Sequence, residues 1–407
     1  MFNALSLIAG FVLGQGSIFL AQTYLVHTNN LERVTDYGVA YSIFILMMLI
    51  VESGSVQYIA RSVSLATSDV SEISKIYSNV VIYKLIIAFI IIVISTVGLF
   101  LWSNDFTKIF IIGLFPVIIF HAFSPSGVLD GLSISGYNGY LMMFQNLGIS
   151  IILVLTSNSG DIFTSACLAF SISIIYIIIT FALIKMLAKK YSGFAFKFKL
   201  VNFEKLKHTS INCFPLLFSM LPGQVFQRIQ LLLSKSFLGD DITAYFIYVK
   251  QIISSISQLI SFIKRIEYPK LVKNIENLNG IKLIKSGFHY QWYSFAFAIL
   301  CFAGIHASLY INSIYNLYET DIVINILTFA SILVLSEVFS SSSMYLLAGK
   351  AEYLAIAVIR TISVIIAIIL IYSFDVSINH IIIAEFLCQL MIFSAGTIFI
   401  LRRNRYV

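Results

Sequence analysis

The sequence has little charge. Only 11% of its 407 residues are Asp, Glu, Lys or Arg, against about a quarter in an ordinary soluble domain. Its 4 cysteines stand in separate apolar runs, with no paired spacing and no histidine cluster beside them. This pattern supports neither a disulfide framework nor a metal site. The sequence also lacks a glycine-rich phosphate-binding motif, so we expect no direct ATP hydrolysis.

Long hydrophobic runs dominate instead, and 59% of the residues are hydrophobic. A membrane-spanning helix needs roughly 20 apolar residues to cross about 30 Å of hydrocarbon. The runs are continuous rather than alternating, which favours helices over strands. The sequence therefore predicts an all-α polytopic membrane protein with about twelve transmembrane helices. The predicted spans are 4–26, 39–60, 79–102, 108–124, 140–157, 162–186, 211–237, 242–264, 288–312, 322–346, 353–373 and 378–401.

Lysine and arginine are distributed unevenly between alternate loops. With the N-terminus in the cytoplasm, three of them lie in extracytoplasmic loops and nineteen lie on the cytoplasmic side. Short cytoplasmic loops carry this excess in membrane proteins. We therefore expect both termini to be cytoplasmic. The net charge of +7 is then expected to meet anionic lipid headgroups rather than nucleic acid.

The longest basic segment lies near the middle of the chain. It predicts a cytoplasmic linker at 187–209 between six-helix bundles at 1–186 and 210–407. A segment that begins at Gly136 aligns without gaps to one that begins at Gly349, which indicates an internal repeat. The two bundles would then be pseudo-symmetric about an axis along the membrane normal. This design is typical of alternating-access transporters, whose site lies between the halves near mid-membrane.

Three basic residues lie deep within predicted spans: Arg228, Lys250 and Arg360. A charge in hydrocarbon costs about 2.5–3.5 kcal/mol on insertion scales, so each should face protein or a water-filled cavity. Lys84 lies nearer the end of its span, and we expect its side chain to reach the headgroups. The dipeptide at 222–223, Pro-Gly, predicts a break or kink in the helix that carries Arg228.

Acidic and polar residues accompany these cations. The acids are Glu52, Glu337 and Glu385, and the polar residues on shared helical faces are Gln15, Gln22, Ser254, Ser257 and Gln389. One interpretation is that the acids only pair with the bases and hold the helices together. The other is a polar cavity in which the cations bind an anionic substrate and the acids couple transport to H⁺ or Na⁺. Neither interpretation needs an organic cofactor.

The loops argue against catalysis. All six extracytoplasmic loops have a dozen residues or fewer, and the longer cytoplasmic loops contain no paired-carboxylate motif. An enzyme acting on a lipid-linked sugar would need such groups in a loop with room for them. We therefore expect a transporter rather than an enzyme. A scaffold that does not transport is a further alternative, although a scaffold has no use for charges buried in several spans.

Several segments of the sequence carry a family resemblance. They are NALSLIAGFVLGQG near the N-terminus, TDYGVAYSI at 35–43, ESGSVQYIAR at 52–61 and DDITAYFIYVKQI at 240–252. In these segments the chain resembles the polysaccharide repeat-unit (O-antigen) flippases, which are relatives of the multidrug MATE exporters. The resemblance implies a MATE-like fold in the bacterial inner membrane.

The resemblance also implies a function in O-antigen and lipopolysaccharide biosynthesis. Such proteins move an undecaprenyl-diphosphate-linked oligosaccharide across the inner membrane by alternating access. Membrane lipids and other polysaccharide-assembly proteins are the further partners implied. On this reading Arg228, Lys250 and Arg360 bind the diphosphate or an acidic sugar, and Glu52 or Glu337 carries a coupled proton. A MATE-type drug/ion antiporter is the alternative, and its cationic cargo would favour a cavity dominated by acids.

Overall fold

The computed structural model describes residues 2–65, 69–101, 104–132, 134, 136–198, 202–275, 285, 289, 292–315, 350–373 and 377–403. These residues contain helices and no strand, so the predicted all-α fold is confirmed. The helices are α1 (Phe2–His27), α2 (Leu31–Glu52), α3 (Ser55–Leu65), α4 (Val70–Leu101), α5 (Asp105–Gly113), α6 (Phe115–His121), α7 (Ser126–Gly131), α8 (Gly136–Leu155), α9 (Asp161–Lys190), α10 (Phe203–Ile275), α11 (Trp292–Tyr315), α12 (Lys350–Ser373) and α13 (Ile378–Arg403).

Six helices in the described part of the chain are long and apolar enough to cross a membrane. They lie in α1, α2, α4, α8, α9 and α13, and shorter apolar segments lie in α11 and α12. The chain is therefore a multi-pass membrane protein. The total of twelve spans stays a prediction, and the predicted tenth span at 322–346 lies outside the described residues.

Two predicted spans in the first half are interrupted. The span predicted at 39–60 ends at Glu52, because Ser53 and Gly54 both take positive φ angles, 49° and 70°. A Cβ at Gly54 would lie 2.4 Å from the Cβ of Leu216, so glycine is required there by conformation and by space. The span predicted at 108–124 is divided at Leu114, between α5 and α6. Proline at the start of α6 cannot continue the backbone hydrogen bonds of α5.

The break in α10 is also not where the sequence predicts it. The helix continues through residues 222–223, and the backbone leaves helical geometry at Gly239, with φ 82° and ψ 175°. The hydroxyl groups of Ser234 and Thr243 form a hydrogen bond of 3.0 Å across this turn. Lys235 forms an ion pair with Asp240 at 3.7 Å. The helix therefore does not break at 222–223, and the kink expected there stays a prediction.

The chain forms two units, unit 1 (Met1–Leu217) and unit 2 (Phe218–Val407). Glycines bring the helices of unit 1 into backbone contact. A Cβ at Gly10 of α1 would lie 2.4 Å from the Gly139 carbonyl oxygen of α8. In the same way, Gly127 and Gly131 of α7 face the backbone of α3. Small residues spaced four apart allow this close approach between membrane helices.

Candidate functional site

Unit 2 contains a helical hairpin that fixes the depth of its polar residues. The two segments of α10 run side by side on either side of Gly239, as the contact from Ser234 to Thr243 shows. Gln230 precedes the turn by nine residues and Lys250 follows it by eleven. At a rise of about 1.5 Å per residue, both lie about 14–17 Å from the turn. That distance is close to half of the roughly 30 Å hydrocarbon thickness.

Lys250 is the centre of a buried polar group in this hairpin. Its ammonium forms an ion pair with Glu385 of α13 and donates a hydrogen bond to Gln230 Oε1 at 3.3 Å. The ring centroid of Phe246 lies 5.4 Å from Lys250 Nζ. We call Lys250, Glu385 and Gln230 the Lys250 cluster. The cluster brings a predicted substrate-binding residue and a predicted coupling residue into direct contact.

The side-chain amide of Gln230 gives the cluster a donor that is not used within the described part of the chain. Gln230 is fully buried, and its Nε2 makes no hydrogen bond to any described residue. On α13, one turn beyond Glu385, the half-buried Gln389 presents an Oε1 that is likewise unbonded within the described chain. Buried polar atoms normally have partners. A donor and an acceptor of this kind suit the hydroxyl groups of a bound sugar.

Arg360 lies on the helix next to this cluster. It is half-buried in α12, which packs against α13. The Cys388 thiol of α13 interacts electrostatically with both Arg360 and Glu385, so both charges lie near this thiol. Ser363 lies on the same helix, three residues after Arg360. Its hydroxyl donates a hydrogen bond to the backbone carbonyl of Ile359 and is therefore not available as a donor to a ligand. Arg360 therefore adds a second positive charge to the region of the Lys250 cluster.

Arg228 lies on the same segment of α10 as Gln230. Its guanidinium donates to the side-chain oxygens of Gln224 and Gln227, both at 3.4 Å. These neighbours belong to its own helix and carry no charge. Among the predicted site residues that the structure describes, unit 2 thus combines three cations with the carboxylate of Glu385.

The structure describes the other predicted site residues of unit 2 only in part. The side chain of Ser254 is exposed on the second segment of α10. Ser257 belongs to the same helix, but its side chain lies outside the described residues, as does the whole of Glu337. Their roles as a cavity lining and as a coupling acid stay predictions.

Unit 1 contains a separate buried group around Glu52. The Glu52 carboxylate lies 3.7 Å from His121 Nε2, and the other ring nitrogen of His121 lies 2.6 Å from the Tyr176 hydroxyl. Lys84 interacts electrostatically with both Glu52 and His121. These four residues, the Glu52 network, come from α2, α4, α6 and α9. The side chain of Glu52 is 34% exposed, so the network leads from an accessible acid to buried partners.

The position of Lys84 corrects a prediction. Its side chain is 1% exposed, so it does not reach the headgroups. Helix α4 begins at Val70, nine residues before the predicted span starts, which places Lys84 well inside the helix. His121 and Tyr176 were not predicted at all, because they lie on different helices with no sequence periodicity that links them to Glu52.

The predicted polar face of α1 is partly buried within unit 1. Gln15 is half-buried and Gln22 is 2% exposed. The Oε1 atom of Gln22 makes no hydrogen bond within the described chain. Residues seven apart lie on one face of a helix, so both face the same side. Their role in lining a cavity stays a prediction.

Comparison with known protein families identifies relatives of this chain. Residues 2–274 match the family described as polysaccharide biosynthesis protein. No curated protein matches the chain. The match covers α1 to α10, and the helices that carry Arg360 and Glu385 lie beyond it.

Solved structures share the fold over nearly the whole chain. One is described as the inward-facing conformation of a multidrug resistance MATE family transporter of the MOP superfamily. It is 13% identical, covers 100% of this chain and 99% of its own, and has a TM-score of 0.67. Another is a MOP superfamily transporter from Pyrococcus furiosus, which is described as having a binding pocket of reverse polarity. It is 13% identical, covers 98% of this chain and 95% of its own, and has a TM-score of 0.63. The chain therefore belongs to the polysaccharide biosynthesis protein family and has the membrane fold of the MATE/MOP superfamily.

Proposed function

We propose that this protein moves an undecaprenyl-diphosphate-linked oligosaccharide from the cytoplasmic to the outer leaflet of the bacterial inner membrane by alternating access. The family and the fold support a membrane transporter of polysaccharide biosynthesis. The excess of lysine and arginine in alternate loops supports cytoplasmic termini. Other polysaccharide-assembly proteins remain expected partners.

The observation that carries this proposal is the buried positive charge of unit 2. A diphosphate is the part of the cargo that hydrocarbon solvates worst. Arginine and lysine can replace its hydration, arginine by two parallel hydrogen bonds. The buried polar surroundings of Lys250 and the position of Arg360 on a neighbouring helix support this role. The unbonded amide atoms of Gln230 and Gln389 suit the sugar.

The ion pair in the Lys250 cluster suggests what happens in the empty protein. Glu385 neutralises Lys250 when no anion is bound. A phosphate oxygen that reaches Lys250 would compete with Glu385 for the same ammonium. The ion pair would then stabilise the site while no cargo is bound. The sequence predicts a role in substrate binding for Lys250 and a separate role in ion coupling for Glu385, and the pair links the two.

The Glu52 network supports a coupling role for unit 1. Glu52 is accessible enough to exchange an ion, and His121 next to it can share a proton. The coupled ion, H⁺ or Na⁺, would act at Glu52, while the cargo would bind in unit 2. Glu337 remains a further candidate of this kind.

Export of surface polysaccharide tests the proposal in cells. A deletion strain would be complemented with wild type, Arg360→Ala or Arg360→Lys, at matched protein levels in the membrane. Hydrogen bonds to charged groups contribute about 1.5–3 kcal/mol, so we expect the alanine variant to export roughly 10- to 100-fold less. The lysine variant should recover part of the export.

Normal export by the alanine variant would remove Arg360 from the binding site. The same deletion strain also separates the alternative function. If it becomes sensitive to cationic drugs and keeps its surface polysaccharide, the protein is a drug/ion antiporter.

A further inference from the structure

Unit 1 contains a cavity that the proposed transport site does not use. It has a volume of about 380 Å³ and lies where α3, α4 and the start of α10 meet. We call it the α4–α10 cavity. Its lining residues are Tyr58, Ser62, Glu72, Lys75, Ile76, Asn79, Lys205, His208 and Thr209. The volume is much larger than a water molecule needs.

Two lysines and one glutamate are the charged groups that line the cavity. Lys75 is half-buried and Lys205 is exposed, and neither forms an ion pair with a described residue. Glu72 is the one acid among the lining residues. Two lysines against one glutamate leave positive charge in the cavity. An anion is therefore the ligand that this charge favours.

Two hydroxyl groups in the cavity are also unused. Tyr58 and Ser62 are half-buried on one face of α3, four residues apart. Neither side chain makes a hydrogen bond to a described residue. Hydroxyl donors beside ammonium groups are the usual partners of phosphate oxygens. Two lysines together with two hydroxyl donors indicate a phosphate ligand more specifically than surface lysines alone would.

The cavity is held open by the segment that precedes α10. The backbone N–H of Lys197 donates to Ser78 Oγ at 3.0 Å, and that of Asn202 donates to Asn79 Oδ1 at 3.1 Å. The ring of Phe194 packs against Tyr77 of α4, with centroids 5.2 Å apart. These contacts fix the first turn of α10 against α4. Lys205 is therefore positioned opposite α4 by the fold.

The surroundings indicate a lipid as the source of the anion. Phe198 and Phe203 flank the segment that leads into Lys205, and they are 71% and 80% exposed. Exposed phenylalanine rings are stable where they enter the boundary between lipid headgroups and acyl chains. The lysines of this region also belong to the side predicted to be cytoplasmic. An anion at this place would be a lipid phosphate at the cytoplasmic surface.

We propose that the α4–α10 cavity binds the phosphate group of a membrane lipid at the cytoplasmic surface. Lys75 and Lys205 contact the phosphate oxygens, and Tyr58 and Ser62 donate to them. Two lipids supply this chemistry: an anionic phospholipid and a polyprenyl diphosphate. In the second case the cavity is a docking place that cargo reaches before it enters unit 2. The site does not depend on the proposed transport activity.

Lipid binding to the purified full-length protein tests this proposal. Delipidated protein in detergent would be titrated with phosphatidylglycerol and, separately, with undecaprenyl diphosphate. Native mass spectrometry would count the bound lipid. The variant is Lys75→Gln/Lys205→Gln. The matched control is Lys185→Gln/Lys189→Gln, which removes two exposed charges from the end of α9, outside the cavity.

We expect the cavity variant to bind lipid about tenfold more weakly than the control. Loss of phosphatidylglycerol binding alone would identify a phospholipid headgroup, and loss of undecaprenyl diphosphate binding alone would identify cargo docking. Equal loss of both would show that the cavity accepts the phosphate of either lipid. If the cavity variant and the control bind both lipids alike, the proposal is overturned. Phosphatidylglycerol carries neither the diphosphate nor the oligosaccharide proposed to bind in unit 2, so its binding reports on the cavity apart from transport. Failure of the transport proposal and failure of this site therefore give different results.

Discussion

Replacing Lys250 with methionine tests the ion pair at the centre of unit 2. Methionine keeps an unbranched side chain but removes the ammonium. The side chains of Lys250 and Glu385 are only 20% and 10% exposed, so the substitution leaves a buried carboxylate without its partner. Breaking a buried pair in this way costs about 3–5 kcal/mol. At roughly 2–4 °C per kcal/mol for a unit of this size, the unfolding temperature should fall by about 6–20 °C.

A matched control and a double variant separate pairing from other effects. Lys235→Met breaks the pair with Asp240, whose side chains are 28% and 45% exposed. Exposed pairs contribute about 0–1 kcal/mol, so this control should unfold near the wild-type temperature. The double variant Lys250→Met/Glu385→Leu removes both charges. It should recover most of the lost stability, because an apolar pair packs in place of the ions.

Heating the purified protein with a thiol-reactive fluorescent dye provides the assay. Cys213 and Cys388 are free and buried, so the dye reaches them when the protein unfolds. The reasoning is refuted if Lys250→Met and Lys235→Met unfold at the same temperature. It is also refuted if the double variant is no more stable than Lys250→Met.

Two further predictions concern unit 1. Gly10→Ala should destabilise the protein by about 1–3 kcal/mol, because its Cβ would lie 2.4 Å from the Gly139 carbonyl oxygen. Gly16→Ala, with no atom within 4 Å, should be neutral or stabilising in the same dye assay, and equal effects would contradict the close packing of α1 on α8. Lys84→Met should raise the unfolding temperature, since Lys84 is buried at 1% exposure and forms no ion pair with a described residue. It should also lower polysaccharide export, because Glu52 loses its positive neighbour. A fall in unfolding temperature would show that Lys84 stabilises the fold.

The sequence predicts the helices well where a continuous apolar run is the only constraint. The spans at α1, α4, α8, α9 and α13 follow from such runs. The interruptions at Leu114 and Gly239 depend on a proline position and on a single positive φ angle, which hydropathy does not register. At 222–223 the helix continues, since a proline inside a helix can kink it without ending it.

The candidate site is predicted only in part. Charge within an apolar run identifies Lys250, Arg360 and Glu385, because burial of a charge is costly in any membrane fold. The pairing of Lys250 with Glu385 joins residues 135 positions apart, and no local pattern encodes it. The burial of Lys84 and its link to His121 depend in the same way on where four helices meet.

Transport in reconstituted vesicles tests the central claim most directly. Purified wild type and the Lys250→Met/Glu385→Leu variant would be compared for movement of undecaprenyl-diphosphate oligosaccharide between leaflets. Wild type should move the lipid faster than protein-free vesicles. The double variant, although stable, should move it at least about tenfold more slowly, because the cargo phosphate has lost its cation. If the double variant moves the lipid like wild type, the Lys250 cluster is structural and does not bind the cargo.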